Sequence, residues 1–227
     1  PIASGPNAVA LGGHARGAGE NSVAISKSNA TGEYSFAAMQ TNNTSSYGAL
    51  AANTIAMGST NKATQAHGIA LGRSTQATSS YAVAIGYNCL SSANYSVALG
   101  YQAQATGASA FAAGAASTNS EKATASGAGS VALGGAYASA TDSVSIGASS
   151  TTGTTIGKIA FSNDKFAANG DSQHGIFVLR CDTTDATAEA MTTNRGTAGT
   201  TNQVVLPNNS AYTFTAMVVA REKASEG

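Results

Sequence analysis

The chain has no tryptophan, two cysteines, three prolines and few charges: Asp, Glu, Lys and Arg make up 10% of its 227 residues. Each scarcity closes a route. Cys89 and Cys181 lie in different segments, so a disulfide scaffold is excluded by count, and a metal centre would need more soft ligands nearby. Cys89 stands in the repeat where a small residue is usual and reads as a plain packed or surface thiol. Eleven Lys and Arg balance eleven Asp and Glu, with no basic run to displace counterions from phosphate, so no nucleic-acid partner is expected. No run of eighteen apolar residues occurs, so no membrane insertion is expected. The opening Pro1-Ile2-Ala3-Ser4-Gly5 does not read as a signal peptide. Disorder is the remaining reading of such a composition. It is excluded by pattern: 42% of the residues are hydrophobic, they recur in register, and the net charge is zero, whereas disordered chains are apolar-poor and strongly charged.

What is present is a phrase that returns every fourteen residues. Ile55-Ala56-Met57-Gly58 is followed by Ile69-Ala70-Leu71-Gly72, Val83-Ala84-Ile85-Gly86, Val97-Ala98-Leu99-Gly100 and Phe111-Ala112-Ala113-Gly114. Apolar–Ala–apolar–Gly at constant spacing predicts a short strand and a turn, repeated. A chain of such units coils into a solenoid, because each unit buries its apolar side only against the next. In a strand, positions one and three share a face and position two lies on the other. The large apolar residues therefore form two columns on one face. The opposite face carries one methyl per coil, which predicts close approach of another layer. The fourth-position glycine is expected to turn the chain at a backbone angle that a side chain would resist. A second column, Ala63, Ala77 and Ala105, each followed by Thr, predicts a second short strand. His67, Tyr81, Tyr95 and Ser109 share a position expected on the outside.

The phrase extends upstream to Val9 and Val23, to Phe36, and downstream to Val131, Val144 and Ile159. The longer intervals, 36 to 55 and 111 to 131, predict loops around residues 50–54 and 117–126. Ten or eleven coils at about 4.8 Å per strand predict a rod roughly 50 Å long. One buried Val, Leu or Ile contributes about 1.5–3 kcal/mol, against roughly 1–2 kcal/mol of backbone entropy for every ordered residue. A single thin rod is marginal on that comparison, so the apolar columns are expected to be buried between chains.

The phrases Asn21-Ser22-Val23-Ala24-Ile25, Tyr95-Ser96-Val97-Ala98-Leu99-Gly100 and Gly129-Ser130-Val131-Ala132-Leu133-Gly134 resemble the head repeat of trimeric autotransporter adhesins of the YadA type, over about residues 7–162. The resemblance implies an all-β, left-handed parallel β-roll of about fourteen residues per coil, assembled as a homotrimer. Beyond Ser162 the phrase stops. Gly175–Arg180, Thr200–Ser210 and Ala211–Arg221 read as strands by alternation. These stretches, with Thr200-Thr201-Asn202-Gln203-Val204-Val205-Leu206-Pro207-Asn208-Asn209-Ser210, resemble a C-terminal module of bacteriophage tail fibres, especially those of cyanophages. That resemblance implies a small β-rich, sandwich-like module over residues 163–227, incomplete as it stands, following a repeat shaft over residues 1–162. It further implies attachment to a host-surface glycan or protein, other virion tail proteins as partners, and a place on the virion tail. A bacterial surface adhesin built on the same roll is the alternative, and a polysaccharide-degrading tailspike the third reading.

No catalytic centre is expected. A glycosidase needs two carboxylates about 5–10 Å apart. Asp182 and Asp185 sit in a Thr-rich stretch and read as turn formers; Asp164 and Asp171 read as loop residues. His14, His67 and His174 are isolated, so no metal or other cofactor is expected. His174, beside a glycine at a strand start, is the one candidate for meeting its own copies around an axis and holding an ion. Calcium-binding repeats need an Asp that these turns lack. A phosphate loop needs a helix. The Thr64, Thr78, Ser92, Thr106, Ser120 column is interrupted and unpaired, unlike an ice-binding ladder. Tyr81 with Tyr95, and Tyr87 with Tyr101, form two columns that are either surface contacts for sugar or protein or covers for coil edges and chain seams.

Overall fold

A computed structural model of the chain describes residues 1–41, 44–115, 121–206 and 210–220. Among them there is no helix, and the strands fall into two sheets that run the length of a parallel solenoid of about 11 turns. One sheet has 12 strands and holds the repeated phrase; the other has 10 shorter strands. The phrase forms the longer strands because its residues alternate in size, which suits a pleated surface. Ile55, Ile69, Val83, Val97 and Phe111 pair in one rank, without slippage. The Ala63 column forms the second sheet, with Ala63, Ala77, Ser91 and Ala105 in one rank.

The interior is lined by small side chains, alanine foremost, with buried Ser, Thr and Asn among them. Ala56, Ala70, Ala84, Ala98 and Ala112 of the long strands face Ala63, Ala77 and Ala105 of the short ones, and all are fully buried. The methyl face thus meets its predicted second layer, which is the other side of the same coil. The first- and third-position aliphatics point outward.

The fourth-position glycines are not the turn. In the central coils each strand runs one residue past its glycine, as in Ile69–Arg73 and Val83–Tyr87. Gly72 and Gly86 have φ of 119° and 123°. A Cβ on Gly72 would collide with the carbonyl oxygen of Gly86, and one on Gly86 with that of Gly100. Glycine is needed there because consecutive coils touch backbone to backbone.

The turns instead use left-handed residues with side chains, including Tyr81, Asn88, Tyr95 and Gln102. That conformation costs a side-chain-bearing residue about 1–2 kcal/mol. It is held by the coil before: Tyr81 N–H donates to the Ala66 carbonyl at 3.0 Å, Tyr95 to Ser80 at 3.1 Å, and Asn88 to Arg73 at 2.8 Å. The hydrogen-bond ladder therefore continues around the corners.

Both long intervals keep the strand register: Phe36 pairs with Ile55 and Phe111 with Val131. The first insertion is not at 50–54. Residues 50–54 make the same connection as in the other coils up to the strand Val144–Gly147, after the strand Gly48–Ala49. The extra residues lie before that strand, in the other corner. The second insertion likewise precedes the strand Thr124–Ala125; residues 116–120 of it lie outside the described residues.

The solenoid closes with Ile159–Ser162, on which His174–Ile176 pairs antiparallel. Past it the expected strands are mostly absent. Gly175–Arg180 is reduced to that short strand and an isolated bridge between Arg180 and Thr192. Residues 200–206 are turn and irregular, and 207–209 lie outside the described residues. Residues 211–220 carry no strand and are all exposed, while Arg221 lies outside the described residues. No sandwich forms among the described residues after Ser162. Alternation alone does not make a strand; its backbone groups need an edge to pair with.

Candidate functional site

The exposed side of the long sheet is the largest chemical feature of the surface. It carries the first-position column, Ile55, Ile69, Val83, Val97, and the third-position column, Met57, Leu71, Ile85, Leu99, each half-buried or more open. Ile55, Met57 and Ile85 are each 37% exposed, rising to 55% at Leu11 and 54% at Phe161 near the two ends. A contiguous apolar face of this length marks an interaction surface rather than scattered surface leucines.

Two aromatic columns border it. His67 stacks on Tyr81 with centroids 4.5 Å apart, and Tyr81 on Tyr95 at 5.0 Å. Tyr87 stacks on Tyr101 at 4.9 Å, and the Arg73 guanidinium lies 5.5 Å from the Tyr87 ring centre. The spacing is that of the parallel strands, so the ladder itself sets the stack. Sequence predicted both columns. The ring faces cover one another, leaving edges outward, and the four tyrosines are between 37% and 61% exposed. Sequence did not reveal that Tyr81 and Tyr95 sit in left-handed turns.

A second missed feature is a buried amide chain. Gln40 follows the strand Phe36–Ala38; its Oε1 accepts the Asn61 N–H at 3.0 Å and its Nε2 donates to the Ala56 carbonyl at 3.4 Å. Asn61 Oδ1 accepts the Thr75 N–H at 2.9 Å, and its Nδ2 donates to the carbonyls of Gly72 and Met57. These side chains replace backbone partners where the first insertion interrupts the coil. The signal in the sequence was a lone Asn in a column otherwise holding Thr75, Cys89 and Ala103.

Cys89 occupies that same buried column, its Sγ 3.1 Å from the Gly100 carbonyl. Burial pushes its thiol pKa up, so it is a packed thiol and a poor nucleophile. His174 opens the last strand, opposite Phe161, and is exposed. Among the described residues no three His, Cys, Asp or Glu side chains converge as a metal site.

The carboxylates are turned toward backbone. Asp171 accepts the N–H groups of Phe166, Ala167 and Ala168 at 2.9, 2.6 and 2.7 Å. Those bonds, Ala168 first, hold its pKa below the usual range. Asp185 accepts the Thr187 N–H at 2.7 Å, and bonds from Thr187 lower its pKa likewise. Asp164 accepts the Lys165 N–H at 2.8 Å, and Asp182 pairs with Arg195 at the surface. A polar hollow among Arg180, Cys181, Asp182, Glu189 and Arg195 is built from these engaged groups, with Arg180 Nη2 donating to the Thr193 carbonyl at 3.0 Å.

No helix among the described residues is long and apolar enough to cross a membrane. No curated protein matches the chain. The YadA head domain repeat matches residues 3–25, 49–75, 66–88, 91–117 and 121–136. Those segments make up much of the parallel ladder, whose coils continue in the same register to Ser162. The tail-fibre resemblance of the C-terminal segment has no support from these matches, none of which reaches past residue 136. YadA head domain repeats are thus found within the solenoid, over those matched segments.

Proposed function

We propose that the chain is an adhesive rod, assembled as a parallel homotrimer, that holds a contact surface away from the particle or cell bearing it. One observation carries this reading: the coil interior holds small side chains, chiefly alanine with Ser, Thr and Asn, while from Ile55 to Leu99 the large Ile, Val, Leu and Met side chains face outward in two columns. Burying those columns against copies of themselves removes large apolar groups from water without interrupting any ladder. In this reading the rod works by shape rather than by cleaving a polysaccharide. Residues 1–162 are its shaft and 163–227 a second part that continues from the last coil.

Two bearers fit such a rod. The stretch Thr200–Ser210 favours a virion tail fibre that attaches to a bacterial envelope glycan or protein. The YadA-type repeats favour a bacterial surface adhesin that attaches to host tissue. The test is retention of the labelled protein on intact bacterial envelopes and on host extracellular matrix. An Ile85→Asp, Leu99→Asp variant, which cannot associate through the columns, serves as control. Retention of the assembled rod on envelopes supports the first bearer and on matrix the second. Equal retention of the control, or none on either surface, contradicts the adhesive reading.

A further inference from the structure

The segment 211–220 has the chemistry of a strand and no sheet. Its sequence, Ala211-Tyr212-Thr213-Phe214-Thr215-Ala216-Met217-Val218-Val219-Ala220, holds no charge and no proline. All ten residues are exposed, reaching 93% at Met217 and 85% at Val219. The Tyr212 and Phe214 rings are stacked, with centroids 6.1 Å apart, so residues two apart lie on one side, as extended backbone places them. Edge strands that stay unpaired are protected by charges, prolines or bulges; this segment has no charge or proline to blunt it.

The body of the same chain offers a matching edge. Among the described residues, His174–Ile176 is the outermost strand of the 12-stranded sheet and pairs on one side, with Ile159–Ser162. Ile176 and Val178 beside that edge are 49% and 68% exposed. Upstream of the segment the chain is tied to the same end of the solenoid: the Thr201 carbonyl accepts the Ile156 N–H at 2.8 Å, and the Thr193 N–H donates to the Asn202 carbonyl at 2.8 Å.

We propose that residues 211–220 are a donated strand, which pairs with the open edge at His174–Ile176 of a second copy of this chain. The inference rests on the parallel association argued above. In parallel copies with aligned coils, a neighbour's last strand stands level with the point where this segment departs. Strand addition satisfies the backbone of both partners and covers Ile176 and Val178 together with one alternating face, Tyr212, Phe214, Ala216 and Val218. It locks the copies together at one end of the rod once the apolar columns have brought them side by side.

The test uses the full chain with Cys89→Ala and Cys181→Ser. One preparation carries Ile176→Cys and another Phe214→Cys; the two are mixed, unfolded together and refolded under mild oxidation. The expected product is a disulfide-linked pair containing one chain of each kind. Amides of residues 211–220 should also exchange about tenfold or more slowly in the assembled wild-type chain, and Thr215→Pro, which removes a ladder donor, should abolish that protection. A chain with both cysteines that links only to itself at every dilution overturns the proposal. So does an assembled particle of several copies that forms no linked pair and leaves these amides unprotected; that result leaves the association reading intact. A particle of one copy overturns both.

Discussion

The central coils and the C-terminal segment are made of similar residues, yet one is a sheet and the other is not. Both alternate small or polar with apolar side chains, and both are nearly uncharged. Between Ile55 and Ala115 the long strands lie beside strands of the same length and pattern, so their backbone groups meet partners one coil away. From Ala211 to Ala220 the same kind of pattern has no strand beside it among the described residues. Repetition, rather than strand propensity, is what makes the ladder. The corollary is that the ladder tolerates poor local geometry, such as tyrosine in a left-handed turn, because adjacent coils hold it.

The sharpest way to break the comparison is to remove backbone contact between coils. Gly86→Val adds a side chain where φ is 123° and where the Gly100 carbonyl already sits. The expected loss is about 3 kcal/mol, from overpacking and backbone strain together. It would appear as a lowered urea midpoint. Gly199→Ala, whose new Cβ meets only Asn202 Oδ1 at 4.0 Å, should change stability by no more than about 0.5 kcal/mol. Equal effects at the two sites would show that coil-to-coil contact is not what distinguishes the regions.

A smaller loss is expected at Asn61. Asn61→Ala removes the acceptor of the Thr75 N–H and leaves that buried donor without it, at a cost of about 1–3 kcal/mol. Denaturant unfolding measures it. Asn61→Thr, which copies the next coil, should lose less.

The smallest effect belongs to the loop between the last two strands. Asp171 gathers three backbone N–H groups only as a carboxylate. Its pKa is lower in the folded loop than in the unfolded chain. The stabilisation is therefore complete above the ordinary aspartate value, about 3.9, and is lost as pH falls from there through the lowered value. Amides of Phe166, Ala167 and Ala168 should lose protection in that window while the coils keep theirs. Asp171→Ala should expose them at neutral pH. Protection unaffected by acid or by the substitution would place the loop's order elsewhere.

The coils were legible because a fixed period leaves one alignment, and the alternation of Ile55, Ala56 and Met57 separated a large apolar face from a methyl face without saying which of them forms the seam between chains. The insertion after Phe36 was misplaced for a physical reason. The corner from short to long strand keeps one length in every coil up to Val144, so the extra residues enter the other corner, where Gln40 and Asn61 substitute for lost backbone partners. No spacing rule exposes that substitution. The role of the glycines was misread because a positive φ serves a turn and a close approach equally well, and sequence does not tell them apart. The aromatic columns were legible as columns, since parallel register stacks equal positions. Beyond Ser162 alternation was visible but the partner edge was not, because pairing is a property of two segments.

The central claim is that the outward columns of Ile, Val, Leu and Met are covered by copies of the same chain. The direct measurement is the mass of the particle in solution, by native mass spectrometry or sedimentation equilibrium, for the wild type and for the Ile85→Asp, Leu99→Asp variant. The account predicts three chains for the wild type and one for the variant. A wild-type particle of one chain, monodisperse at high concentration, would contradict it.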